Sequence, residues 1–181
     1  MRQVFLSTCL SLALLTGCSD TGSSQSAASV EASGDIHKLA WEDLIPEGEE
    51  ERLVELYKQQ AARVSQIEEG SLGDVAVQLG SYTTVPKFEG RRVRLPGYTV
   101  PFEYGVNAKI TEFLLVPYYG ACLHAPPPPP NQTIYVKTSK PIQLADLAQA
   151  VWIEGTLRAT KQETALADAA YTIEMDVIET Y

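Results

Sequence analysis

The sequence predicts a mostly β domain of the α+β class, a small OB-like Greek-key β-barrel preceded by an amphipathic helix. Apolar residues recur at helical spacing from Glu47 to Glu69, and short alternating segments follow from about residue 75 to residue 181. One of these segments carries a glycine in its middle. Five strands with a helix between the third and the fourth match the OB layout, and a meandering sheet packed on the first helix is the alternative.

The N-terminus predicts a lipoprotein. Met1 to Gln3 is a short basic segment, and Val4 to Leu15 is apolar but too short to span a bilayer. The following residues, Leu15-Thr16-Gly17-Cys18, resemble the bacterial lipobox, in which the cysteine is acylated by fatty acids such as palmitate. We therefore expect residues 1–17 to be a signal peptide, and Cys18 to anchor the mature protein to a membrane by its lipid.

The segment after Cys18 predicts a tether in the cell envelope. Residues 18–34 are small and polar without periodicity, which is typical of a flexible linker, and a single globular domain should occupy residues 35–181. The domain would face the periplasm. Ser19 follows the acylated residue where lipoproteins of the inner membrane often carry aspartate, so the outer membrane is favoured.

The charge of the chain bears on its partners. The sequence contains 14 basic and 23 acidic residues, and one of the basic residues lies in the leader. The mature protein therefore has a net charge of about −10. Because such a surface repels phosphate groups, we expect no nucleic-acid partner, although oligonucleotides are common ligands of OB-like folds.

The elements of the domain are predicted from their periodicity. Asp35 to Pro46 should pack onto the domain through Trp41, and the helix of residues 47–69 should turn its apolar residues inward. These residues are Leu53, Tyr57, Ala61, Val64 and Ile67. From Ser71 to Phe88 we expect at most a short strand.

The barrel strands are predicted from alternation and from apolar runs. Pro96-Gly97 should break or bulge the first strand, and the run Ile110–Val116 should form a central strand covered on both faces. Pro141 to Ala150 should form the short helix between the third and fourth strands. The strands themselves are expected at residues 91–95 with 98–102, 110–116, 132–137, 151–158 and 171–177.

The proline run is the most unusual feature of the sequence. Proline lacks a backbone N–H and has a fixed φ, so the run should form a stiff polyproline II segment. We expect it, with the two preceding tyrosines, either to dock into a partner or to pack as a lid across the barrel. The residues concerned are Tyr118, Tyr119, Pro126, Pro127, Pro128, Pro129 and Pro130.

Cys122 and His124 form the candidate functional site. Cys122 is the only cysteine outside residues 1–18, so it has no internal disulfide partner. In extended backbone, residues two apart point to the same side, which would let Cys122 and His124 share a zinc or copper ion. Glu103 and Glu112 are further candidate donors. The hypothesis that we favour over a metal site is a buried thiol beside a histidine that shapes the turn. A third hypothesis is a thiolate nucleophile with His124 as its base.

Several of these segments resemble the bacterial domain-of-unknown-function family 3299. They are RVRLPG (92–97), TEFLLVPY (111–118), GACLH (120–124) and the prolines followed by Asn131-Gln132, with WEDLIP (41–46) similar to a leading tryptophan motif. The resemblance covers the chain from Leu39 onward. It implies a secreted or lipidated envelope protein without an established activity, associated with exporter-type ABC transporter components and with metal-linked transport.

These observations together predict a non-enzymatic binding or accessory component of the envelope. Its expected partners are the membrane, through the lipid, and an ABC transporter component or another envelope protein. The competing hypothesis is a thiol-dependent enzyme or redox protein that uses Cys122 with His124. Signature motifs of serine hydrolases, zinc proteases and phosphate-binding loops do not occur in the sequence.

Overall fold

A computed structural model gives the fold of residues 35–65, 77–105, 108–122 and 126–181. The predicted signal peptide and tether, with Cys18, lie outside these described residues. The α-helix is α1 (Glu49–Val64), and short 3-10 helices occupy Trp41–Leu44, Pro86–Phe88 and Pro130–Gln132. The strands are β1 (His37–Lys38), β2 (Arg92–Pro101), β3 (Ile110–Val116), β4 (Ile134–Ile142), β5 (Ala150–Arg158) and β6 (Tyr171–Thr180).

Strands β2 to β6 close into a barrel. Their order is β2-β3-β4-β6-β5, and β5 returns to pair with β2. The β4 and β6 pair is parallel, whereas the other barrel pairs are antiparallel, and the two-residue strand β1 adds to β2 in parallel. This connectivity is that of an OB-type Greek-key barrel, so the predicted fold class is confirmed.

Alternation along the strands places one set of apolar side chains inside the barrel. The interior includes Val93, Leu95, Phe113, Leu115, Ile134, Val136, Val151, Ile153, Leu157, Tyr171, Ile173 and Met175. On the opposite face of β3, Leu114 and Val116 are equally buried, beneath Ala121, Ala167 and Ala169. The prediction that this strand is covered on both faces is confirmed.

Strand β2 runs without a break through Pro96 and Gly97, contrary to the prediction. Both residues keep the antiparallel register with β5, where Pro96 is opposite Trp152. The proline contributes its carbonyl instead of an N–H, and this oxygen accepts a hydrogen bond of 2.8 Å from the Trp41 indole. A β-carbon at Gly97 would stand 2.7 Å from the Leu115 side chain, so the glycine lets β2 and β3 approach.

The segment between β4 and β5 is a loop, so the helix expected from Pro141 to Ala150 is wrong. Strand β4 continues to Ile142, and local side chains then satisfy the backbone of the loop. The Asp146 carboxylate accepts from the Leu147 N–H at 2.7 Å, and the Gln149 side chain accepts from the Ala145 N–H at 2.8 Å. Bonds of this kind compete with a helical backbone.

Helix α1 exists as predicted, but it buries less of its apolar side than expected. Of the predicted inward residues, Leu53 is buried, whereas Tyr57 and Ala61 are exposed. Acidic residues at the start of the helix, beginning with Glu49, suit the positive end of its dipole. The predicted end near Glu69 lies outside the described residues. Within the described residues no helix is both long and apolar enough to cross a membrane.

Candidate functional site

Cys122 lies in a tight turn after β3. Its φ is 65°, in the left-handed region, so the extended backbone on which the Cys122–His124 pairing was predicted does not hold at this residue. The thiol is half-buried against the outer apolar cluster of Leu114 and Val116, and burial raises its pKa to about 11. The thiol therefore stays protonated at neutral pH. His124 lies outside the described residues.

Among the described residues no three donors of the His, Cys, Asp and Glu types come together to hold a metal ion. Glu103 and Glu112, the carboxylates expected near Cys122, instead line a small cavity of about 180 Å³ beside β3. His37 lies in β1, opposite Val93. The described part of the chain thus brings no zinc or copper donor set to Cys122.

The proline run packs into the body of the domain. Pro126 is exposed, but Pro128, Pro129 and Pro130 are buried at the end of the barrel where β4 and β6 begin. Pro130 opens a 3-10 helix, a position where its missing N–H costs nothing, so the extended segment ends before the last proline. The Pro130 carbonyl accepts a 2.7 Å hydrogen bond from the Ala170 N–H.

Gln78 holds this proline segment in place. Its side-chain nitrogen donates to the carbonyls of Pro128 and Asp168, and its side-chain oxygen accepts from the Asp168 N–H, each at 2.8 Å. Gly80 lies directly against the segment, since a β-carbon there would stand 2.6 Å from the Pro129 β-carbon. Pro128, Pro129 and Pro130 are therefore packed as part of the fold, and we call residues 126–130 the proline lid.

The two tyrosines before the lid differ in environment. The Tyr118 hydroxyl donates to the Pro126 carbonyl at 2.9 Å, and its pKa is raised by burial and secondarily by Tyr57 of α1. Tyr119 is 66% exposed and meets the Tyr98 ring edge-on at 5.8 Å between centroids. Tyr118 thus fastens the start of the lid, and Tyr119 stands at the surface.

A larger concave site than the cavity at Glu103 and Glu112 lies elsewhere, where β4 and β6 part. The two strands pair from Ile134 with Tyr171 to Lys137 with Glu174 and then diverge. A cavity of about 570 Å³ opens between them and extends across β3. We call it the β4/β6 cleft; its lining residues are Thr111, Glu112, Lys137, Thr138, Ser139, Glu174, Met175 and Asp176.

Irregularities in two strands produce this cleft. In β4 the register against β3 shifts between Lys137 and Ile142, so residues 138–141 bulge away from their neighbour. In β6 the register against β5 shifts at Gly155, which leaves Asp176 as an extra residue. A β-carbon at Gly155 would overlap the Glu174 carbonyl oxygen, so this shift requires a glycine. Bulges of this type commonly re-aim side chains at functional sites.

The charges of the cleft are partly compensated. Lys137 pairs with Glu174 at 3.4 Å, and Arg92 reaches Asp176 at 3.2 Å from outside the lining. Burial, and secondarily the nearby Glu112 carboxylate, raise the pKa of Tyr135 to about 12. Three carboxylates against one lysine make the lining acidic.

Sequence reasoning did not identify this cleft. Except for Met175, its residues are ordinary polar side chains on different strands, and only the register shifts bring them together. One local signal was available, since Gly155 interrupts an otherwise regular alternating strand, and such a glycine often marks a bulge. Glu154, on the same strand, bonds to Arg94 and lies outside the cleft lining.

The fold and its surface define a small OB-type barrel domain with a packed proline lid and a polar cleft. The chain belongs to the family DUF3299, described as a protein of unknown function, whose profile matches residues 41–180. A crystal structure of a DUF3299 family protein from Pseudomonas aeruginosa PAO1 is similar, with 35% identity and a TM-score of 0.59 over 82% of this chain and 97% of that chain. The comparison with curated proteins finds no significant match.

Proposed function

We propose that this protein is a lipid-anchored envelope protein whose barrel binds a partner, without catalysis, in the β4/β6 cleft. The lipobox ending at Cys18 supports the anchor, and the acidic chain, with a net charge of −9, argues against nucleic acid as the ligand. An exporter component or another protein of the same envelope would be a partner within reach of the tether.

The observation that carries the binding role is the cleft itself. It has a volume of about 570 Å³. Five of its eight lining residues belong to β3 and β4, the second and third strands of the barrel, which OB-type barrels commonly use for ligands. Two strands bulge to form it, and one of the bulges depends on Gly155. Backbone irregularities of this kind weaken strand pairing, so their occurrence on both borders of one cleft favours a binding role.

The competing role for Cys122 as a nucleophile is disfavoured. A catalytic thiol needs a lowered pKa, and burial raises the pKa of this thiol to about 11. Its turn packs on apolar side chains, which suits a structural role.

Site-specific crosslinking in intact envelopes tests the binding role. A photoreactive amino acid at Ser139 or Val177, at the border of the cleft, should give a discrete covalent adduct on irradiation. The same amino acid at Glu163, whose side chain is 73% exposed outside the cleft, is the matched control. Equal labelling at all three positions, or none above the control, would contradict binding in the cleft.

The anchor has an independent test. Mass spectrometry of the purified protein should find an N-terminal cysteine that carries acyl chains, and Cys18→Ser should release the domain from washed membranes. An unmodified residue 18, or a Cys18→Ser protein that stays in the membrane, would remove the lipid anchor from the proposal.

A further inference from the structure

The two strands that border the cleft have backbone edges without a strand neighbour. On the side facing β4, the pairing of β6 ends at Glu174. In the described part of the chain, residues 175 and 177–180 therefore pair only with β5, and Asp176 is the unpaired residue of the bulge. In β4, residues 138–141 pair with neither neighbouring strand, and pairing resumes only at Ile142. An unpaired strand edge presents a row of N–H and C=O groups to an incoming chain.

The length of the free edge suits a short extended segment. Six residues of β6 span about 20 Å, which is the length of an ordinary strand. Val177 is 38% exposed, so the edge carries one accessible apolar side chain beside its polar groups. Peptides that add to a sheet use their backbone for affinity and alternate side chains for specificity.

The charge of the cleft indicates which charge a bound peptide segment should carry. Glu112, Glu174 and Asp176 outnumber Lys137 in the lining, and even with Arg92 beside Asp176 the carboxylates stay in excess. The whole chain is also acidic, with a net charge of −9. A basic segment is therefore attracted, whereas an acidic one is repelled. These carboxylates do not converge as the donors of a metal ion within the described residues.

We infer that the β4/β6 cleft binds an extended, lysine- or arginine-containing peptide segment of a partner protein, which pairs as a strand with the free edge of β6. This inference rests on the proposed function and specifies its ligand. Backbone pairing explains why the cleft follows a strand edge, and the excess of carboxylates explains the selection of basic side chains.

Three fluorescein-labelled octapeptides test the inference with the full-length acylated protein in a nonionic detergent. The first alternates lysine and valine, the second alternates glutamate and valine, and the third is the lysine peptide with every second amide N-methylated. Fluorescence anisotropy should show binding of the first, at least about tenfold weaker binding of the third, and none of the second. Equal binding of the first and third peptides would overturn strand pairing.

Two charge variants locate the site. Replacing Glu174→Lys and Asp176→Lys together should weaken binding of the lysine peptide at least about tenfold. Replacing Glu47→Lys and Glu163→Lys together makes the same change in net charge at exposed positions outside the cleft, and it should alter the dissociation constant less than about twofold. An equal loss in both variants would show nonspecific attraction and overturn the inference.

The inference and the proposed function fail in different ways. If no lysine peptide binds but the Ser139 crosslinker still captures a partner, the cleft binds something other than a basic strand, and only the inference is rejected. If the crosslinker at Ser139 also gives no adduct above Glu163, the binding role of the cleft is rejected as well. Thermal unfolding of each variant confirms that a loss of binding is not a loss of fold.

Discussion

Gly155 of β5 lies against the backbone of Glu174 in β6, so closely that a β-carbon at residue 155 would overlap the Glu174 carbonyl oxygen. The same β-carbon would stand 2.8 Å from the Ile173 side chain. This contact occurs where the register of the two strands shifts and Asp176 becomes the extra residue. The glycine therefore lets β6 carry the bulge that borders the β4/β6 cleft.

Replacing Gly155→Ala should destabilise the domain and disturb the cleft. The added methyl group meets backbone atoms that cannot move away without breaking strand pairing, and overpacking of this kind costs about 2–3 kcal/mol. The free energy of unfolding from chemical denaturation measures the effect. Gly105→Ala is the control, because a β-carbon there meets nothing within 4 Å. Equal stability of the two variants would contradict the close packing at Gly155.

Replacing Gly80→Ala should loosen the proline lid. Gly80 has a φ of 121°, and a β-carbon there would meet Pro129 at 2.6 Å, so the substitution adds both backbone strain and a clash. We expect a loss of roughly 2–4 kcal/mol. Gly48→Ala separates the two causes, since Gly48 has a φ of 78° but no neighbour within 4 Å. It should cost only about 1–2 kcal/mol. A Gly80→Ala variant no less stable than Gly48→Ala would show that the lid does not pack on this residue.

Cys122 should react slowly with thiol reagents in the native protein. Its pKa is raised from 9.0 to about 11, so at pH 8 its thiolate fraction is about 100-fold below that of an ordinary cysteine. In the acylated protein it is the cysteine expected to carry a free thiol, which makes the rate simple to follow with a chromogenic disulfide. The same measurement in denaturant supplies the unperturbed rate. Native labelling as fast as denatured labelling would favour the thiolate hypothesis.

The stability of the domain should fall at alkaline pH. Burial raises the pKa of Cys122 to about 11, and the pKa of Tyr135 is raised to about 12, so the folded state holds both protons more tightly than the unfolded state does. The resulting stability is complete below about pH 9 and is lost as the pH rises toward the folded pKa values. Cys122 contributes roughly 1 kcal/mol of this pH-dependent free energy of unfolding, after allowance for its partial exposure.

Denaturation curves from pH 7 to pH 11 check this dependence. Cys122→Ser removes the contribution of the thiol and leaves that of Tyr135, so the variant should lose less stability across the range than the parent protein. A pH profile that is identical in the two proteins would mean that the thiol is not buried as the structure has it.

Much of the barrel was predictable because its signals are local. Tyr171, Ile173 and Met175 alternate with polar residues, and this period of two predicts that they face the core. The pattern can be recognised without knowledge of contacts distant in sequence. Strand β3 was equally clear, since an apolar run such as Phe113–Val116 needs cover on both faces. The helical spacing of α1 was also a local signal.

The errors and omissions arise from contacts distant in sequence. Pro96 stays within a strand because its carbonyl bonds to the Trp41 indole, which lies 55 residues away in the chain. Tyr57 has the spacing of a core residue, but the barrel closes on itself and leaves it exposed. The cleft depends on the number of residues over which β4 and β6 pair before they diverge. No single segment of the sequence determines that number, because it depends on both strands.

Amide hydrogen exchange, resolved residue by residue, tests the central claim most directly. When the lysine–valine peptide is added to the full-length protein, amides of β6 between Met175 and Thr180 that are not bonded to β5 should exchange at least about tenfold more slowly. Amides beside Tyr118 and Tyr119 should not change. Slower exchange confined to the tyrosine surface, with β6 unaffected, would contradict peptide binding in the β4/β6 cleft.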